Sequence, residues 1–145
     1  MPDDMILYIR LVYFALEREK NNYFEHQNIT ASQGDLLLYL GGCQYHNKEV
    51  NQKDIENHFQ LTNPTVTGLI NRLEEKGFVK RVKSEVDGRN KFIHLTDDGV
   101  DVLKQFMGHK DEIEAKLFKG LSQGDIDQTI DHLKVFLDNL NQNKE

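Results

Sequence analysis

The sequence predicts a mainly α-helical fold carrying one small β-hairpin, and three observations lead there. Apolar residues recur at helical spacing along most of the chain, as in Val66, Leu69, Ile70 and Leu73. A residue able to cap a helix N-terminus precedes nearly every such run: Thr30, Asn51, Thr62, Thr96 and Ser122. One stretch breaks the pattern, where two short β-prone runs flank Asp87-Gly88, a strong hairpin signal. With 145 residues, the simplest organisation is a single domain over 1–145.

The first helix is expected from about Pro2 to His26, ending before Asn28. Thr30 and Gln33 have capping-box spacing and open a second helix with Leu36, Leu37 and Leu40 on its apolar face; Gly41-Gly42 is expected to end it. After a polar connector, Asn51 caps a short third helix, with Asp54 near its positive end and Ile55 and Phe59 facing one way. Gln60-Leu61 turns the chain. Thr62 caps a fourth helix with Pro64 in the first turn, and Gly77 ends it in a left-handed conformation. Strands are expected at about 79–83 and 91–95. Thr96 then caps a fifth helix over about 97–118, with Val100, Leu103, Phe106, Met107, Lys110, Ile113 and Leu117 inward. Ser122 and Asp125 open a sixth, whose Ile126, Ile130, Leu133, Leu137 and Leu140 form either a short seam of coiled-coil type or a simple amphipathic face. Short helix, tight turn, helix and hairpin, in that order, describe a winged helix-turn-helix: helix-turn-helix about 51–76, whole winged unit about 30–96.

Composition narrows the partners. The chain has a formal net charge of -6, yet residues 62–96 carry seven basic against four acidic residues, a net +3 that leaves -9 elsewhere. A basic unit on an acidic body is a statement about what it approaches. A single cysteine, Cys43, excludes an intrachain disulfide framework and fits a reducing cytoplasm. The apolar run 5–16 is too short to span a bilayer, and Asp3 and Asp4 precede it where a secretory signal carries basic residues, so neither membrane anchor nor leader is expected. No Gly-rich phosphate loop, nucleophile elbow or persuasive triad is present, which argues against an enzyme, and no catalytic residue or cofactor is expected. His26, His46, His58, His94, His109 and His132 lack the spacing of a helical metal pair, so no metal site is expected, although His109 and Glu112 make a partial set. Cys43 follows a helix C-terminus, an unfavourable place for a sensing thiolate. Tyr8, Tyr13, Phe14, Tyr23, Phe24 and Tyr39 suit either a core or a ligand cavity.

With its apolar face turned inward, the fourth helix presents Asn63, Thr65, Thr67, Gly68, Asn71 and Arg72 outward. Short hydroxyls, amides and an arginine are the side chains that read base edges in a major groove, and Gly68 leaves space for close approach. Thr67 and Asn71 are mediocre helix formers in mid-helix, which capping does not explain. On the hairpin, Arg89 is placed to enter a narrow, electronegative minor groove, with Asp87 expected to orient its guanidinium. Lys80, Arg81, Lys83 and Lys91 are candidates for phosphate contacts.

Over essentially its full length the chain resembles the MarR family of bacterial transcription regulators. The most specific pieces are LTNPTVTGLINRLEEKGFVKR and DGRNKFIHLTDDG, in which Asp87, Arg89, Leu95, Thr96 and Gly99 match the family's Asp-x-Arg and Leu-Thr-x-x-Gly. The resemblance implies a homodimer, interlocked by helices at about 2–27 and 97–141, that sets two winged units on an inverted-repeat operator in double-stranded DNA. It further implies a repressor answering to a small-molecule effector or to cysteine oxidation. Two positions depart from the family pattern: Glu56 stands where a small residue is common, and Gln60 where a glycine is, so Gln60 is expected in a left-handed conformation at a cost of about 1–2 kcal/mol. Gly68 replaces a larger polar or basic residue. The rival reading is a winged helix used for protein–protein contact, which net acidity favours and the sign division and Arg89 oppose.

Overall fold

A computed structural model describes residues 4–142. Its order is α1 (Met5–His26), α2 (Ala31–Tyr45), α3 (Gln52–Phe59), α4 (Asn63–Glu75), β1 (Val79–Lys83), β2 (Lys91–Leu95), α5 (Asp97–Leu117) and α6 (Gln123–Asn141). The helical fold with one hairpin is therefore as the sequence predicts. The expected start of α1 at Pro2 lies outside the described residues. Within them Asp4 is the N-cap, its carboxylate accepting from the backbone N–H groups of Ile6 and Leu7.

The chain forms two compact units, Met1–Lys110 and Asp111–Glu145. The first has a continuous core: Phe24, Ile29, Leu36, Leu37, Ile55, Val66, Ile70 and Leu73 are fully enclosed, and Val79, Ile93, Leu95, Val102 and Phe106 extend it under the hairpin and α5. Phe24 stacks on Phe106 at 5.0 Å between ring centres. Lys20 ties α1 to α2 through Glu17 (2.9 Å) and Asp35 (2.6 Å). Burial draws the Lys20 ammonium down, and the two carboxylates outweigh it, so its pKa lies above the ordinary lysine value.

Local chemistry sets most boundaries. Thr30/Gln33, Asn51/Asp54 and Ser122/Asp125 all close complete capping boxes. Gly77 ends α4 at φ 83°. Three expectations are corrected. Gly41-Gly42 does not end α2, which continues to Tyr45; a Cβ at Gly41 would stand 2.5 Å from Leu103 Cδ1, so the glycine admits α5 against the α2 backbone. Thr62 is the N-cap of α4 by position, but its hydroxyl pairs with that of Thr65 (2.9 Å) and caps no backbone N–H. On α5, Met107, Lys110 and Leu117 are exposed, while Val102 takes a buried place.

β1 and β2 pair antiparallel from Val79↔Leu95 to Lys83↔Lys91. The hairpin is anchored at its base. The Ile93 N–H donates to the Val50 carbonyl (2.8 Å), Asn51 bridges Phe92, and His94 Nε2 lies 2.8 Å from Glu49 Oε2. The residues before α3 thus act as a short third edge.

In the second unit, α6 buries none of its residues, and Ile130, Leu133, Val135, Phe136, Leu137 and Leu140 are all exposed. α1 is similar at its start. Met5 to Phe14 are apolar except for Arg10, and every apolar member is exposed, from 39% at Leu7 to 73% at Ile6.

Candidate nucleic-acid interface

The α3–α4 turn is built around Gln60, at φ 54° and ψ 48°, the left-handed conformation expected of it. Its side-chain amide donates to the Asn57 carbonyl (2.7 Å), which partly offsets the strain. The turn rolls Val66, Ile70 and Leu73 of α4 fully into the core, with Leu69 packed at its margin.

That roll exposes the opposite face. Asn63, Thr65, Asn71 and Arg72 are exposed, and Thr67 and Gly68 are half-buried. Protein partners hold several of these side chains. Asn63 donates its amide to Glu56 (2.9 Å), so Glu56 points outward and serves α4. Gln52 donates one amide group to the Thr67 hydroxyl (2.8 Å) and to the Asn63 carbonyl (3.3 Å). Gly68 lets Arg72 lie back along the helix: a Cβ there would stand 3.1 Å from Arg72 Nη1.

On the hairpin, Lys80, Lys83, Lys91 and Arg89 are exposed cations. Arg81, expected with them, is half-buried and its guanidinium turns to α4. Nη1 meets Glu74 Oε1 at 2.5 Å, and Nη2 donates to Asn71 Oδ1 at 2.8 Å. This pair of bonds sets the wing beside the outer face of α4.

The loop before Arg89 is shaped by its own polar groups. The Ser84 hydroxyl accepts from the N–H groups of Val86 and Asp87, and the Asn90 N–H donates to the Asp87 carbonyl. The sequence leads one to expect a bond from Asp87 to the Arg89 guanidinium, and the structure does not show it. The Asp87 carboxylate accepts from the Arg89 backbone N–H (3.1 Å), so it fixes the chain at Arg89 and leaves the guanidinium exposed.

Gln52 and Glu74 carry no site role in the sequence reading, and Glu56 enters it only as a departure from the family pattern. The signal for Gln52 and Glu56 was present: they lie four apart and share one flank of α3, beside the face that carries Ile55 and Phe59.

The remaining candidates lie elsewhere. Cys43 is buried beside Tyr39, whose phenol is pushed up to about 12 by burial first and then by its hydrogen bond to Cys43. His109 stacks on Tyr23 and His58 on Tyr39. No group of three or more His, Cys, Asp or Glu among the described residues could hold a metal ion. Among the six aromatic residues, Phe24 is buried in the core with Tyr23 and Tyr39 packed against it, whereas Tyr8, Tyr13 and Phe14 are exposed. No described helix is long and apolar enough to cross a membrane.

Short α3, left-handed turn, α4 with a polar outer face, and a cationic hairpin tied beside it define a winged helix-turn-helix. The profile of the MarR family matches residues 29–91 of it. The transcriptional regulator MgrA of Staphylococcus aureus is 29% identical over 118 residues, 78% of this chain and 76% of MgrA. A clinical-isolate variant of MepR from multidrug-resistant S. aureus superposes with a TM-score of 0.77 at 30% identity, covering 97% of this chain and 99% of that one. MepR in its complex with DNA superposes at 0.71, with 29% identity and 94% and 96% coverage. The chain belongs to the MarR family.

Proposed function

We propose that this chain is a sequence-specific DNA-binding transcriptional regulator that works as a homodimer on an inverted-repeat operator. The observation that carries the reading is the pairing of Arg81 with Glu74 and Asn71, which holds the polar face of α4 and the cationic wing side by side. The likeness to MepR in complex with DNA supports it. Residues 30–96 form the reading unit. Asn63, Thr65, Thr67, Asn71 and Arg72 face the major groove, Gly68 gives close approach, and Lys80, Lys83 and Lys91 meet phosphates. Arg89, on a backbone fixed by Asp87, enters the flanking minor groove. α1, α5 and α6, within the expected dimerisation segments at about 2–27 and 97–141, join the two copies. The exposed apolar runs on α1 and α6 support that assignment, since each needs a cover. In keeping with the family resemblance, the regulator represses, and a small-molecule effector changes its affinity for DNA.

The test is titration of the protein against duplex DNA over a range of salt. Affinity for random duplex falls steeply with added salt, as counterion release demands. A flat dependence overturns DNA binding and returns the protein–protein reading. Arg89→Ala weakens operator binding on the order of ten-fold and leaves the dimer intact; loss of the dimer would show that Arg89 serves the subunit contact.

A further inference from the structure

Resting on that reading, we propose that Arg81 is a positioning residue that decides which base Asn71 accepts. A guanidinium carries only donors, so the amide atom it touches at 2.8 Å must be the carbonyl oxygen of Asn71. The Asn71 NH2 group is then the end left to face outward from an exposed position on α4. The usual reading of adenine by asparagine needs both ends of the amide: the oxygen accepts from N6 while the nitrogen donates to N7. In this chain one lone pair of that oxygen accepts from the wing guanidinium, which turns the oxygen towards the wing. The two N–H donors are then foremost, and the base edge that offers two acceptors there is guanine, with N7 and O6. Asn71 therefore selects guanine against adenine.

Glu74 makes the arrangement durable. Its carboxylate meets the other arm of the same guanidinium at 2.5 Å, with the Arg81 side chain 26% exposed. Arg81 is thus held on two sides by α4 and kept from the phosphates that the neighbouring lysines can reach. A lysine at 81 would carry the charge but not the fork, and could not hold both partners in one plane. The wing takes part in base selection without touching a base.

The test is selection of duplexes from a random pool by the wild-type protein and by Asn71→Ala, Arg81→Met and Arg81→Lys, each checked for native helix content by circular dichroism. In the wild-type operator, one position per half-site holds guanine, and Asn71→Ala removes that preference alone. Both Arg81 variants move the preference at that position from guanine towards adenine, a change on the order of ten-fold, with other positions unaltered. Three results overturn the proposal. Wild-type preference for adenine at the Asn71 position is one. A uniform loss of affinity in the Arg81 variants, with the salt slope reduced by about one, makes Arg81 a phosphate contact. An Asn71→Ala operator identical to the wild type removes Asn71 from the interface. Failure of DNA binding itself has a different signature, because the wild-type protein then enriches no sequence at all.

Discussion

Gln60 holds a left-handed backbone at the sharpest turn of the reading unit, a conformation in which a Cβ crowds the following carbonyl. Its neighbours leave it little choice. The Leu61 N–H returns to the Glu56 carbonyl (3.1 Å), closing α3, and Thr62 must start α4 two residues later. Gln60→Gly is therefore expected to stabilise the fold by about 1 kcal/mol, less whatever the Gln60–Asn57 side-chain bond contributes. A rise in the denaturant midpoint at unchanged slope would show this. A fall would mean that the bond from the Gln60 amide to the Asn57 carbonyl outweighs the strain. The glycine's greater freedom in the unfolded chain works the other way and sets the upper limit on the gain.

At the scale of elements, the wing is joined to α5 by a short run that leaves no room. The Thr96 N–H donates to the Phe78 carbonyl (3.0 Å), and the Thr96 hydroxyl donates to the Gly77 carbonyl (2.6 Å) while accepting from the Gly99 N–H (3.1 Å). A Cβ on Gly99 would stand 2.2 Å from the Phe78 carbonyl oxygen, a backbone atom that cannot step aside. Gly99→Ala is thus expected to cost about 1–3 kcal/mol or more and to shift the wing before it unfolds the core. Amide exchange that quickens in β1 and β2 ahead of α2 would confirm the order. Leu-Thr-x-x-Gly was legible only as a match to the family pattern, since Thr96 and Gly99 find their partners back at Gly77 and Phe78. The logic of the capping boxes, of Gly77 and of Asp87-Gly88 is local, and these elements could be placed from the residues themselves. What could not be placed depends on distant partners. Gly41-Gly42 carries a local stop signal that packing of Leu103 overrides. Asn63, Thr67, Asn71 and Arg81 could be named as candidates, but their bonds run to Glu56, Gln52 and Glu74, across the turn or from wing to helix. The Asp87 carboxylate accepts from the Arg89 backbone N–H, a bond that side-chain chemistry alone does not foretell.

For the whole molecule, the unanswered demand is cover for its exposed apolar surface. Nine of the ten residues from Met5 to Phe14 are apolar and exposed, all round the helix, whereas a surface helix of a monomer normally has a polar side. Leu133, Phe136, Leu137 and Leu140 on α6 repeat the situation in the second unit. A stable homodimer buries about 1,200–2,000 Å² or more, and the exposed apolar runs of α1 and α6 offer surface for such a contact. On the proposed dimer, sedimentation should give about twice the 16.9 kDa of one chain, and the melting temperature should rise with protein concentration, as mass action requires. Leu11→Asp, at a half-exposed position within the run, places a charge in the proposed contact and should return the chain to a monomer. Its effect on DNA then separates two parts of the reading. Two linked heads gain from the high local concentration of the second half-site, so the variant should lose most of its affinity for a complete inverted repeat. On an isolated half-site it should bind as one head of the wild type does. Equal loss on both would place Leu11 in support of the reading unit, and a wild-type chain that sediments as a monomer at tens of micromolar would leave the apolar run without the partner proposed for it.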